Sequence, residues 1–394
     1  MNSELPLDGL RVVEFTHMVM GPVCGLMLAD LGADVIKVEP PGGDKTRYLK
    51  GSGAGYFPMY NRNKRSICLD VKSEPGKAAA LRLIDTADVF IENFRPGAME
   101  RAGFGYEALS ARNPRLIYCS EKGFLDGPYA QRTALDEVAQ MMSGLAYMTG
   151  PPGKPLRAGA SVIDVQGGMF GALAVLAALY QRKESGRGQH VTAALFESAV
   201  FLVGQHMAQM AVTGKPADPM PARISAWAIY DIFETADGQP VFVGVVTDGQ
   251  WKIFCEAFAL DDLAANRSLS TNAERVRQRA RIIPIIKDTL GQLTKVELLT
   301  KLEKIGLPFA PINRPQDMFD DMHLNASGAL LEVSLPDGDN SGKTTKLPAL
   351  PVRMGKQRLA LRRDVPRAGQ DTDVILSELG LSAQDIGRLT QACD

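Results

Sequence analysis

Cysteine is scarce and scattered in this chain. Cys24, Cys68, Cys119, Cys255 and Cys393 are odd in number and form no CxxC pair. That excludes a disulfide framework and points to reduced, mostly buried thiols of a cytosolic protein. Histidine is scarcer still. His17, His190, His206 and His323 show no HExxH or other ligand spacing, so no metal site is expected. An excess of charge of one sign is also lacking: 44 basic against 45 acidic residues leave a net charge of −1. This excludes a general nucleic-acid binder, an acidic tail and a membrane-surface patch, so any local basic cluster needs a local anionic ligand. The opening MNSELPLDGL has neither the basic nor the apolar run of a secretory signal. The most apolar stretch, Met169 to Tyr180, is too short to span a bilayer and reads as a buried helix. A cytoplasmic protein without membrane or nucleic-acid partners is expected.

What is present is an α/β alternation in a chain of 394 residues, long enough for two domains. LRVVEF reads as a buried strand, GPVCGLMLADLG as a helix with Pro22 in its first turn, and ADVIKVE as the next strand. SICLDV, DVFIENF and RLIYCS continue as strands, with EPGKAAALRLIDTA as a helix between the first two. Strands separated by helices imply a parallel sheet covered on both faces. The first strand–helix turn is THMVMGP, which lacks the GxGxxG that lets backbone approach a pyrophosphate. A dehydrogenase is therefore disfavoured, although the carboxyl ends of such strands remain the place for a ligand. Near residue 200 the texture changes. VTGKPADPMPARISAW reads as a linker, and a hairpin around Asp237-Gly238 and amphipathic helices follow, then a Pro-rich tail ending in the helix DTDVILSELG.

One carboxylate stands out. In GASVIDVQGG, Asp164 closes a run of small and β-branched residues just before a long, nearly uncharged helix. It suits an N-cap first of all, since caps are common and catalytic acids rare, with a catalytic acid at the positive end of the helix dipole as the alternative. Basic residues gather near strand ends: Lys45 and Arg47, then Arg62, Lys64, Arg65 and Lys72, then Arg95 and Arg101 beside Asn93. They fit a phosphate-binding rim or an ordinary solvated face.

These motifs carry a resemblance. VVEFTHMVMGP, LGADVIKVEPPGGD, NRNKRSICLDVK, IENFRPGAMERAGFGYEAL, RLIYCSEKGF, GASVIDVQGG and YQRKESGRGQHVTAALFESA stand in the order seen in class III coenzyme A transferases. These are also called the CaiB/BaiF or formyl-CoA transferase family. The likeness runs from about residue 6 through the tail and is most specific over 6–200. It implies an interlocked homodimer with a Rossmann-like α/β large domain, residues 1–205 and 335–394. A smaller inserted α+β domain, 225–330, follows a linker at 206–224. It implies that Asp164 is the nucleophile, held ionised by the helix N-terminus, and that coenzyme A enters as substrate, with no permanently bound cofactor. By position, His17, Met18, Val19, Met20, Leu69, Lys72, Asn93, Phe94, Arg95 and Arg101 fall where the family contacts CoA, and Asp136 is a further candidate for CoA or for capping its own helix.

The implied chemistry is covalent. Asp164 attacks an acyl-CoA to give a mixed anhydride and CoA thiolate; the thiolate returns to form an aspartyl-CoA thioester, from which an acceptor acid collects CoA. Backbone N–H groups near Gly167 and Gly168, or from a neighbouring loop, are the expected oxyanion donors. The chain departs from formyl-CoA transferases at Val19 (their Gln), at Pro40 (their Arg) and in ARISAWAIYDIF, which replaces a glycine-rich lid. With Trp227 and Tyr230 there, an acid larger than oxalate is expected, specifically transfer from succinyl-CoA to a dicarboxylate whose distal anion meets Arg47, Arg157 or Arg223. A racemase of the same fold needs a second acid/base, and Leu135 occupies that histidine's place. A non-catalytic CoA-binding homologue is the other alternative.

Overall fold

The computed structural model describes residues 5–223, 225–355 and 357–391, so Cys393 lies outside the described residues. The other four cysteines are buried thiols. The chain divides into one unit of Met1–Pro221 with Met322–Asp394 and another of Ala222–Asp321.

The first unit is built on a six-stranded sheet: β1 Arg11–Phe15, β2 Asp34–Glu39, β3 Lys64–Cys68, β4 Val89–Glu92, β5 Ile117–Lys122 and β6 His190–Ala194. Every pairing is parallel and the spatial order is β3-β2-β1-β4-β5-β6. The helices that position the site are α1 Met20–Asp30, α2 Tyr56–Tyr60, α3 Glu74–Asp85, α4 Ala98–Ala102, α5 Tyr106–Arg112, α6 Asp136–Ser143, α7 Leu145–Thr149, α8 Val162–Ser185 and α9 Leu195–Thr213. Both faces of the sheet are covered, as the near-continuous apolar strands require. One face packs on α3, α5 and the tail helix Thr372–Glu378, through Ile36, Phe90, Tyr118, Leu83 and Ile375. The other packs on α1 and α8, through Val12, Ile91, Cys119, Leu28 and Val175.

α1 and α8 lie close because glycines line their contact. A Cβ on Gly168 would stand 2.5 Å from the Met20 carbonyl oxygen and 2.8 Å from Val23 Cβ, and one on Gly171 would stand 2.2 Å from Glu121 Oε1 of β5 beneath the helix. The QGG run is thus a packing surface, and it fixes where Asp164, at the start of α8, stands relative to the turn after β1. α8 is longer than the apolar run seen in sequence; at 24 residues it is long and apolar enough to cross a membrane by length and composition, yet it packs in this core. Residues 206–213, expected in a linker, belong to α9, which continues to Thr213 before Gly214 turns the chain at φ 68°.

The second unit pairs β7 Ile229–Glu234, β8 Pro240–Val245 and β9 Phe309–Pro311 antiparallel. The expected hairpin is there, with Gly238 at φ 68°. Its helices close over Phe233, Trp251, Phe254, Ile282 and Leu298. Trp227 packs on Tyr230 with ring centroids 4.8 Å apart.

Candidate active site

In an open parallel sheet, ligands bind where the strand order reverses, outside the carboxyl ends. Here that point lies between β1 and β4. Asn93, just past β4, spans it: its Oδ1 accepts from the His17 N–H at 3.0 Å and its Nδ2 donates to the His17 carbonyl at 2.9 Å. The His17 ring lies 5.1 Å from the Phe94 ring. Met18 adopts φ 62°, uncommon for a non-glycine residue, and its N–H donates to Thr46 Oγ1 at 3.0 Å. This turn carries buried polar atoms without partners among the described residues, namely Thr16 Oγ1 and His17 Nδ1, and Gln166 Oε1 in α8 is another. Burial lowers the His17 pKa, so the imidazole is neutral.

The expected CoA residues divide. His17, Met18, Asn93 and Phe94 form the turns at the reversal point, and Lys72, Arg95 and Arg101 are exposed near the same strand ends. Val19, Met20 and Leu69 are 1%, 4% and 1% exposed. Their side chains pack in the core, so contact of these three with a ligand is left to the backbone.

The basic cluster is mostly corrected. Lys64 pairs with Glu14 at 2.8 Å and Arg62 with Asp30 at 2.7 Å, both inside the protein, and Arg65 pairs with Glu378 at 2.6 Å. Arg47 forms a two-pronged pair with Glu39 at 2.7 and 2.6 Å, and its remaining head bonds Asp337 at 2.7 Å and the Pro366 carbonyl at 2.9 Å. It also lies 3.7 Å over the Phe57 ring. A guanidinium so committed cannot hold a substrate carboxylate. Arg157 is occupied too: it pairs with Glu137, bonds the carbonyls of Ala158 and Ala160, and stands 3.5 Å from Asp136. Arg223 is half-buried at the start of the second unit.

Asp164 sits within the first turn of α8, behind Ser161 as N-cap, so the capping role expected for it is corrected. The cap comes from elsewhere. Asp136 Oδ2 accepts from the N–H groups of Ile163 at 2.8 Å and Asp164 at 3.1 Å. Asp136 neither caps its own helix, α6, nor is open to CoA: it is 4% exposed. The N–H groups of Gly167 and Gly168 lie inside α8 and are committed to helical bonds, so they are not oxyanion donors.

The Asp164 carboxyl itself accepts no hydrogen bond among the described residues. Burial, then the charges of Asp136 and Glu137, push its pKa up to about 7 against the pull of Arg157. Ionisation by the helix terminus was expected; the dipole, worth about 0.3–1 kcal/mol, is too small to offset burial beside a second carboxylate. Because the folded chain holds this proton more tightly than the unfolded chain does, Asp164's contribution to stability falls as pH rises from 3.8 to about 7. Tyr60 on α2 feels the Asp164 charge, and burial with that charge raises its pKa. One turn earlier, Tyr56 reaches Ser161 at 3.4 Å. Sequence reasoning missed this pair, although YFPMY places two tyrosines at i and i+4, one helix face. It also missed the grouping of Cys24, Cys119 and Glu121, whose donor atoms lie within 4.8 Å of one another in the core. Bonding to Cys119 and burial push the Cys24 thiol well up, and burial pushes Glu121 to about 8.

The turn of unpartnered polar atoms, the exposed cations and the Asp164 carboxyl thus stand at the carboxyl ends of a doubly wound parallel sheet, the place where such sheets bind ligands. The family model of CoA-transferase family III matches residues 7–372, and the chain belongs to that family: it is a class III CoA-transferase. It is 36% identical over 394 residues to a succinate–glutarate CoA-transferase of Agrobacterium fabrum, covering 96% of each chain. It is 33% identical to a succinyl-CoA:mesaconate CoA-transferase of Haloarcula hispanica, covering 95% of this chain and 96% of that one. The crystal structure of a CaiB/BaiF family protein from Brucella suis matches with a TM-score of 0.84 at 34% identity, covering 95% of this chain and 100% of that one.

Proposed function

We propose that the enzyme moves coenzyme A from succinyl-CoA to a second dicarboxylate, with Asp164 as the nucleophile. One observation carries the role of Asp164. The other acids near these strand ends are engaged: Glu39 with Arg47, Asp44 with Lys37, Glu92 with Lys122, Asp136 with the α8 amides. Among the described residues Glu121 also lacks a hydrogen-bond partner but is shut in the core at 2% exposure, so Asp164, half-buried, is the uncommitted acid that a substrate reaches. Its carboxylate attacks the thioester carbonyl, the C–S bond breaks, and a succinyl-aspartyl anhydride and CoA thiolate result. The thiolate attacks the aspartyl carbonyl, releasing succinate and leaving aspartyl-CoA. The acceptor carboxylate attacks next, expelling thiolate to form a second anhydride, and the thiolate then takes the acceptor's acyl group and frees Asp164. Lys72, Arg95 and Arg101 supply the rim charge for the CoA phosphates, and the Thr16–His17 turn supplies polar contacts to the rest of the cofactor.

A second copy of the chain is part of this reading. α8 and α9 expose Leu173 at 60%, Phe201 at 72%, Met207 at 61% and Val212 at 86%, an apolar face of the kind an obligate interface covers. A homodimer accounts for it.

The dicarboxylate acceptor rests on the relatives, whose acids are glutarate and mesaconate. Succinyl-CoA is to be offered a panel of acids and thioester exchange followed by chromatography. Four- and five-carbon dicarboxylates are expected to accept CoA and oxalate to accept it poorly. Exchange confined to aromatic or betaine-type acids would show the assignment to be wrong.

The ionisation state of the nucleophile gives a second test. Only the carboxylate attacks, so kcat/KM is expected to rise about tenfold per pH unit below the Asp164 pKa and to level above it. A rate that stays flat from pH 5 to pH 8 contradicts Asp164 as the attacking group.

A further inference from the structure

The carboxylate that caps α8 is itself locked. Unpaired N–H groups at a helix start are usually met by a residue just before it. Here Asp136 meets them from 28 residues upstream. Its second oxygen accepts from Gln140 Nε2 at 2.5 Å, and Gln140 Oε1 accepts in turn from the Ala158 N–H at 2.8 Å. Gln140 is 0% exposed. The side chain of one fully buried amide thus ties α6 to the loop that leads into α8, and Asp136 ties α6 to the amide of Asp164. Nothing in this arrangement touches the Asp164 carboxyl, so it acts on that group through backbone geometry and through charge.

Resting on the reading of Asp164 as nucleophile, we propose that Asp136, locked by Gln140, is a positioning residue of the transfer reaction: it pins the backbone of the attacking residue and keeps a fixed negative charge beside it. The pin sets the direction from which Asp164 meets the thioester, where a small misplacement is expensive in rate. The charge holds the Asp164 proton to higher pH, and a more basic carboxylate is the better nucleophile once ionised. The other groups that face Asp164 are Glu137 from α6, Arg157 from the following loop, Tyr60 from α2 and Glu121 from β5. Of these, Glu137 and Arg157 pair with one another, and Glu121 holds its own proton near neutral pH. Arg157 also stands 3.5 Å from Asp136, so one cation is shared between two acids and a net negative charge remains beside Asp164.

Two variants separate the pin from the charge. Asp136→Asn keeps an oxygen for the α8 amides and removes the charge. The acid limb of its kcat/KM profile is expected to move about one pH unit toward acid, so that at pH 5.5 it keeps about tenfold more of its plateau activity than the wild type does. Gln140→Met keeps the charge and frees the carboxylate. Its kcat is expected to fall about tenfold with KM for both substrates unchanged. Thermal melting of both variants accompanies the rates. A purely structural role lowers Tm while the acid limb of Asp136→Asn and the kcat of Gln140→Met stay at wild-type values, and that result overturns the proposal. Peptide mapping after incubation with succinyl-CoA keeps the two readings apart. Wild type without an aspartyl-CoA adduct at Asp164 removes the nucleophile and this inference with it. An adduct at Asp164 with an unmoved acid limb removes only the role of Asp136.

Discussion

Asp164→Ala is expected to lower CoA transfer by at least about 10⁴-fold, because the variant loses the group that forms both covalent intermediates and no neighbour can take its place. Asp136 is buried with both oxygens engaged, and Glu137 is paired with Arg157. The same change is expected to leave the fold intact or slightly firmer. The Asp164 carboxyl receives no hydrogen bond among the described residues and titrates at about 7, so the folded chain gains nothing from it. Removing a carboxylate that burial opposes relieves a strain kept for chemistry. Activity and stability should therefore part, which thioester exchange and a thermal melt measured on one preparation will show. A variant that retains exchange within about tenfold of wild type removes covalent catalysis by this residue; a variant that loses activity together with its melting transition shows a structural carboxylate instead.

The scaffold was legible because its signal is local. Apolar runs such as RVVEF and DVIKVE, with helices between them, require a covered parallel sheet, and the turn after β1, without GxGxxG, argued against a dehydrogenase. β6 was not legible: HVTAA is short, its first residues are partly exposed, and it pairs only with β5 at the sheet edge. α9 hid its last turns because its exposed Ala, Thr and Met residues have the texture of a linker, and only the packing of its earlier turns marks them as helix. The site was half legible. Asp164 declares itself by standing alone before an uncharged helix. Asp136 does not, since its partners are backbone amides 27 and 28 residues away, and backbone amides carry no sequence signal. Charged residues misled for a related reason. NRNKRS looks like a phosphate rim, yet the acids that neutralise it lie far off in sequence, Glu14 by 50 positions from Lys64 and Glu378 by 313 from Arg65. A sequence shows a charge but not its partner.

Arg47 is where these two readings of a charge make opposite claims. As a substrate ligand, its loss would raise KM for the dicarboxylate and leave the fold alone. As the structure has it, Arg47→Met is expected to destabilise the protein by about 3–5 kcal/mol, read as a lower urea midpoint, because Glu39 stays in the core without the guanidinium paired to it. The remaining partners of Glu39 are the Ser66 hydroxyl at 2.6 Å and the Asp44 N–H at 2.8 Å, which are too few to hold a full charge there. Burial alone raises the Glu39 pKa; the bonds and charge of Arg47 bring it below the ordinary value. Without Arg47 that balance shifts toward the protonated acid, so the Glu39 pKa rises in the variant. The deficit should then shrink as pH falls from 7 toward 5, the opposite of what loss of an exposed ion pair gives. Replacing both partners, Arg47→Met with Glu39→Met, should restore most of the stability, since matched apolar groups need no counter-charge. A single variant that melts like wild type but needs about tenfold more dicarboxylate would return Arg47 to the substrate.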